Sequence, residues 1–201
     1  MTETRRSSYH HGDLRASLLT TAMRMLEAGE QFSLRAVARE AGVSPTAPYR
    51  HFTDRDALES ALAAQGLRDL SADLSAGREL PSTPAELAEL AVAYVGFALR
   101  RPALFRVMFG NACDEGSEER VRAATEIHDL LRAAASQVFP GADADAVASA
   151  GWALAHGMAY LHMDGKLAAR SPEDVANHVR GAFTAIVGAS AASITTRGDR
   201  P

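Results

Sequence analysis

Two short stretches of this chain carry side chains that can do more than pack. The first is Ser44-Pro45-Thr46-Ala47-Pro48-Tyr49-Arg50-His51. A Thr46 hydroxyl can hydrogen-bond several bases, an Ala47 methyl suits thymine, and Arg50 can reach either a base or a phosphate. Tyr49 and His51 can reach phosphates. Ser33 and Arg35 precede the stretch at one helix start, and Arg55 follows it in the first turn of another, where backbone N–H groups attract anions. Arg5 and Arg6 offer a flexible arm, with His10-His11 beside it. The chemistry these types can do together is recognition of double-stranded DNA, a polyanion with readable edges.

The second stretch is Trp152, His156 and Tyr160, whose spacing of four puts them on one helical face with Met163 close behind. Aromatic stripes usually pack in a core, and that role competes with ligand binding here. Tyr94, Phe97, Phe105, Met108, Phe109 and Ile127 are large side chains that a helical bundle can gather around this face. The resulting pocket would be largely apolar, with polar points at His128, His156 and Tyr160, and would take a hydrophobic or aromatic ligand of low charge.

Other chemistries find little support. Asp174 and His178 stand four apart, but beside a capping box such a pair reads as helix electrostatics. His156 and His162 are six apart, on different faces, and no Glu-x-x-His pair is present. There is no Gly-rich phosphate loop and no nucleophile elbow. A single cysteine, Cys113, excludes an internal disulfide framework and zinc ribbons. The expectation is a binding protein with no metal, no cofactor and no catalytic site.

The elements that must position these residues are helices. About a fifth of the 201 residues are alanine and leucine is abundant, while strand-forming aromatics are few, with four Tyr and seven Phe. Thr83-Pro84-Ala85-Glu86, Ser171-Pro172-Glu173-Asp174 and Thr53-Asp54-Arg55-Asp56 read as capping boxes, the first two with Pro at the first helical position. Apolar residues recur at three and four between such marks. The pattern predicts an all-α fold of about nine helices, near 11–28, 34–41, 45–51, 54–76, 84–100, 102–109, 118–138, 143–164 and 172–192. No apolar run approaches the roughly 18 residues of a membrane span. The N-terminus lacks the apolar stretch of a secretory signal, so the expectation is a soluble, cytoplasmic protein. The net charge of −4 belongs to the C-terminal part, since residues 1–66 balance eight Arg against eight acids.

Residues 33–52 follow helix-turn-helix logic. Ser33 caps a short helix that buries Leu34, Val37, Ala38 and Ala41. Gly42 ends it in a left-handed conformation, Val43 plugs the core, Ser44 caps the next helix and Pro45 takes its first position. On Val37-Ala38-Arg39-Glu40-Ala41-Gly42-Val43-Ser44, Tyr49-Arg50-His51-Phe52, Leu58 and the Leu/Ala-rich helix from Gly12, the chain resembles the TetR family of transcriptional regulators over about residues 10–70. Trp152…His156-Gly157 resembles the WHG class of TetR C-terminal domains. Pro48 stands where the family has Leu, Ile or Val, and would forfeit the first backbone bond of the recognition helix. Arg55 replaces the usual Lys and keeps the charge.

The resemblance implies an N-terminal three-helix DNA-binding domain, a palindromic operator bound by a homodimer, and a C-terminal helical domain holding a small-molecule inducer. The domain reading is an arm at 1–9, a helix-turn-helix domain at 10–54 (turn and recognition helix 42–52), a linking helix at 55–76, a ligand-binding and dimerisation domain at 77–194 and a tail at 195–201. Continuous at 1.5 Å per residue, the linking helix is about 33 Å long, and a ligand shifting it would change the separation of two reading heads. Leu154, Leu161, Val175, Val179, Ala182, Phe183 and Ile186 could build a two-fold four-helix interface, with ordinary intrachain packing as the competing role. A repressor fits best. An activator, or a helical small-molecule binding protein, would use the same architecture.

Overall fold

In the computed structural model, residues 11–31, 33–77, 79–110 and 117–195 are described, with side chains between 14 and 186. Arg5, Arg6, His10, Cys113 and residues 196–201 lie outside them. The described residues form eight α-helices and one 3-10 turn, with no strand. The order is α1 (His11–Glu27), α2 (Leu34–Glu40), the 3-10 turn (Ala47–Arg50), α3 (Arg55–Ser75), α4 (Pro84–Arg100), α5 (Pro102–Gly110), α6 (Glu118–Val138), α7 (Ala144–Met163) and α8 (Pro172–Thr195). No helix among the described residues is long and apolar enough to cross a membrane.

Side-chain caps set the helix starts. The Ser33 hydroxyl accepts from Ala36 N at 3.2 Å, and Thr83 and Glu86 form a complete capping box at α4. The two Glu86 contacts to Ser82 and that to Thr83 hold its carboxyl below the ordinary carboxylate range. Asp143 caps α7 by accepting from Asp145 N and Ala146 N, and Ser171 accepts from Asp174 N at α8. At α3 the expected cap moves by one residue. Asp54, immediately before Arg55, accepts from Ala57 N at 2.8 Å, while Thr53 donates to Asp54.

The one element whose type differs from expectation is the segment at 45–51. It is a 3-10 turn of four residues, Ala47–Arg50, where the sequence pattern suggests an α-helix. Two prolines explain this. Pro45 and Pro48 have no N–H, so Pro48 cannot donate the bond to Ser44 that would start α-geometry. Ala47 N donates to Ser44 O at 3.0 Å and His51 N to Pro48 O at 2.9 Å, both three residues apart.

The chain divides into two compact units. The first comprises residues 1–66 together with 103–121, so α5 and the start of α6 belong to it and not to the C-terminal unit that the sequence pattern assigns them to. Its core joins Leu18, Ala22 and Met25 of α1, Leu34 and Val37 of α2, and Phe52, Leu58, Ala61 and Leu62. In the same unit, Arg15 bonds Glu119 at 2.8 Å and Arg120 donates to the Met108 carbonyl at 2.8 Å. The second comprises residues 67–102 and 122–201, where α4 packs on both α7 and α8. Its surface carries an Arg180 fork on Glu89, at 2.5 and 3.2 Å, which raises the guanidinium further above its ordinary value.

Candidate functional site

In the first unit the turn after α2 is made by Gly42, whose φ of +69° is costly for residues with a Cβ. Val43 N then returns to the Ala38 carbonyl at 2.9 Å, and the chain enters the 3-10 turn. Pro48 is fully buried, so it fills the core position that an aliphatic residue would occupy. That burial points its neighbours outward. Ser44, Pro45, Thr46, Tyr49 and Arg50 are exposed, with Tyr49 at 49%, and Ala47 is half-buried. The Ser44 and Thr46 hydroxyls lie 3.3 Å apart.

Ser33 and Arg35 stand exposed at the start of α2, and Arg55 at the start of α3. Arg55 bonds Glu59 at 2.8 Å, one turn along the helix, whereas Arg35, Arg39 and Arg50 make no ion pair among the described residues. The His51 ring leans on Phe52, and its Nε2 is buried without a hydrogen-bond partner among the described residues. Hydroxyls, a phenol and guanidinium groups without ion pairs among the described residues, exposed on α2 and the turn that follows it, suit phosphates and base edges.

In the second unit an apolar cavity opens between the end of α3 and α4, α6, α7 and α8. Leu74, Leu87, Leu90, Leu131, Ala135 and Phe183 supply much of its wall. Tyr94 and Trp152 line it as well, and they make its polar corner. Trp152 Nε1 donates to Tyr94 Oη at 3.1 Å, and Tyr94 Oη is 2.8 Å from His156 Nδ1. An indole N–H can only donate, so the phenol oxygen accepts there, and with the His156 proton on Nε2 the phenol donates to Nδ1. Burial pushes the Tyr94 hydroxyl far above its ordinary range and pulls His156 down, which keeps both neutral. The His156 ring also lies 5.0 Å from Tyr160 and edge-on to Trp152 at 5.9 Å, so the expected helical face is physically contiguous.

Other residues proposed for a pocket lie elsewhere. Phe105 and Met108 are buried in the first unit, with Phe109 against Phe105 at 4.8 Å. Phe97 is buried in the second unit under the Arg101 guanidinium. His128 is exposed and 3.5 Å from Asp145. Of the face expected between two copies, Val179 and Phe183 are 0% and 6% exposed. Packing within the chain itself covers them, and Phe183 faces the cavity. Leu161 and Ile186 are exposed, while Leu154, Val175 and Ala182 are half-buried. No cluster of three metal-ligating side chains occurs among the described residues. Asp174, spaced from His178 as a ligand pair would be, accepts from Arg170 N instead.

The cavity-lining leucines and alanines have no signal in sequence, because they look like any other core residues. Only the polar corner carried one, in the Trp152-His156-Tyr160 spacing.

Comparison with known proteins decides the family. A model of bacterial regulatory proteins of the tetR family matches residues 18–62, and a model of the tetracyclin repressor-like C-terminal domain matches residues 87–186. The chain belongs to the TetR family. It is thus a DNA-binding transcriptional regulator, in a family of regulators and not of enzymes. A protein of unknown function from Rhodococcus sp. RHA1, of known structure, is 38% identical over 89% of this chain and 97% of its own, with a TM-score of 0.73. An HTH-type transcriptional regulator of Haemophilus influenzae is 29% identical over 127 residues, 58% of this chain and 59% of that protein. The fold recurs in the regulator FadR from Bacillus subtilis, solved with stearoyl-CoA, at 13% identity over 84% and 97% of the two chains and a TM-score of 0.61. Against the TetR pattern, Pro48 keeps the buried position and exchanges the helix for a 3-10 turn.

Proposed function

We propose that this TetR-family regulator is a cytoplasmic repressor that binds a palindromic operator as a homodimer and is released by a small apolar or aromatic molecule. Ser44, Pro45, Thr46, Ala47, Tyr49 and Arg50 enter the major groove, and Ser33, Arg35, His51 and Arg55 hold phosphates on either side. Two such heads must sit about 34–36 Å apart to read successive turns of one DNA face. Leu161 and Ile186, exposed on α7 and α8, give the pairing surface its apolar centre.

The observation that carries the ligand-responsive part is the α4–α7 cavity, a hydrocarbon wall with one polar corner at Tyr94. FadR, of the same fold, was solved in complex with stearoyl-CoA, whose acyl chain is hydrocarbon. Helix α3 supplies Leu58 and Leu62 to the first unit's core and Leu74 to the cavity, which makes it the covalent route between them. Release requires that the ligand bind the non-DNA geometry more tightly than the DNA-bound one.

Selection of bound fragments from genomic DNA, followed by affinity measurements across salt, tests this reading. The expected result is an enriched palindrome bound about 10³-fold or more above random DNA. Addition of apolar compounds then weakens it. An enriched site without two-fold symmetry would remove the dimeric part, and a palindrome indifferent to every apolar compound would remove the inducer.

A further inference from the structure

The cavity is narrow as it stands. Its volume is about 40 Å³, room for a few water-sized spheres. Benzene needs an engineered cavity of roughly 150 Å³, so a guest the size of one ring requires a wall to move. Among the lining residues Trp152 is the exposed one, at 42%, whereas Tyr94 is 3% exposed and Phe183, Leu74 and Leu90 are buried too. A half-exposed ring gives up less packing when it swings out than a buried one does.

Moving Trp152 breaks its bond to Tyr94. The Tyr94 oxygen then becomes a buried acceptor without the donor it had, and leaving it so is unfavourable. With the His156 proton on Nε2, the Tyr94 proton is spent on Nδ1 at 2.8 Å and cannot serve a guest. None of the residues lining the cavity is charged. The site therefore asks for a donor at one point and hydrocarbon everywhere else.

We propose that Trp152 is the lid of this cavity, and that the ligand is a neutral apolar molecule with one hydrogen-bond donor, of the phenol or alcohol type, which takes the place of the Trp152 N–H on Tyr94. An ether or ketone of the same size, having only acceptors, is refused at that corner. A second polar group on the ligand meets apolar wall and weakens binding. The inference rests on the ligand-binding reading given above and adds the class of molecule and the part that moves.

The test compares 4-propylphenol with 4-propyltoluene, which replaces the hydroxyl by a methyl of similar size. Binding to the full chain is followed by calorimetry and by the emission of Trp152, the protein's single tryptophan. The expected result is a preference for the phenol on the order of ten- to a hundred-fold, with a change in Trp152 emission on binding. Tyr94→Phe should bring the two probes within about two- to threefold of each other. Trp152→Phe, a lid without a bond to break, should bind the phenol more tightly than the native chain does. Equal affinity of the native protein for the two probes overturns the donor requirement while leaving the pocket in place. Binding with unchanged Trp152 emission overturns the lid. If neither probe binds, even to a folded Trp152→Ala variant with its extra space, the pocket reading fails along with this one.

Discussion

The two units arrange their polar groups in opposite ways. In the first, Arg35, Arg39 and Arg50 stand exposed without ion-pair partners among the described residues, around a turn that pushes Tyr49 outward. In the second, Trp152, Tyr94 and His156 satisfy one another in a chain beside an apolar wall. An exposed cation keeps its solvation and lends long-range attraction to a polyanion. A buried hydroxyl has no such option and must have a partner, so the cavity offers a new molecule only an exchange of bonds. The proposed DNA-reading and small-molecule sites thus differ in whether their polar groups are left unsatisfied or satisfied before a ligand arrives.

That contrast can be broken most forcefully at Arg50. If residues 44–50 read DNA as proposed, Arg50→Glu replaces an exposed cation, without an ion pair among the described residues, by an anion at the DNA surface, and should lower operator affinity by about 10²-fold or more at moderate salt. Binding of 4-propylphenol should be unchanged, as should the melting temperature. An operator affinity within a factor of two of the native value would remove Arg50 from the DNA contact surface.

A smaller effect is expected at Gly42, which supplies conformation without any contact. Gly42→Val forces a β-branched residue to a φ of +69°, and should destabilise the first unit by about 2 kcal/mol. Chemical denaturation monitored by circular dichroism reads this directly. A loss of only a few tenths would mean that the turn relaxes to another shape.

Both of these positions were legible beforehand, because the helix-turn-helix is a local device. Ser33, Gly42, Ser44 and Pro45 mark its boundaries within a dozen residues, and the exposed face follows from the spacing. The cavity is different. Tyr94 and Trp152 meet across a gap in sequence that no periodicity reports, and the wall is built from leucine and alanine that have no chemical signature. Phe105 and Met108 were drawn toward the pocket by size and proximity in sequence. The chain returns to the first unit over residues 103–121, a path that composition does not mark. The 3-10 turn was half legible: the missing donor at Pro48 is visible in the sequence, but its burial, which lets one residue both fill the core and end the α-geometry, is a property of the fold.

The gentlest probe of the comparison is pH, because the second unit holds two histidines in neutral form. Burial lowers the His156 value, and burial also lowers that of His162, whose ring stacks on His178 while the Leu167 carbonyl opposes the shift. The unfolded chain, with histidine near 6.5, therefore takes up protons first as the pH falls. Stability is unaffected above that value and declines as pH drops through the window below it, toward the lower folded values. Melting curves between pH 7.5 and 5.5 should show this decline, and His162→Asn together with His156→Asn should flatten it. A melting temperature that rises on acidification in this range would contradict the neutral Tyr94–His156 bond.

Pro45 and Pro48 hold two backbone dihedrals of the reading segment near one value before DNA is met. A segment that is already in shape loses little conformational entropy on docking, and more of its contact energy appears as affinity. The same stiffness removes a way of adapting. A flexible recognition element can shift its backbone to accept a variant site, whereas this one must rely on the side chains it carries. Drift toward a new operator would therefore run through substitutions at Thr46, Ala47, Tyr49 and Arg50, with the path of the chain between them held constant.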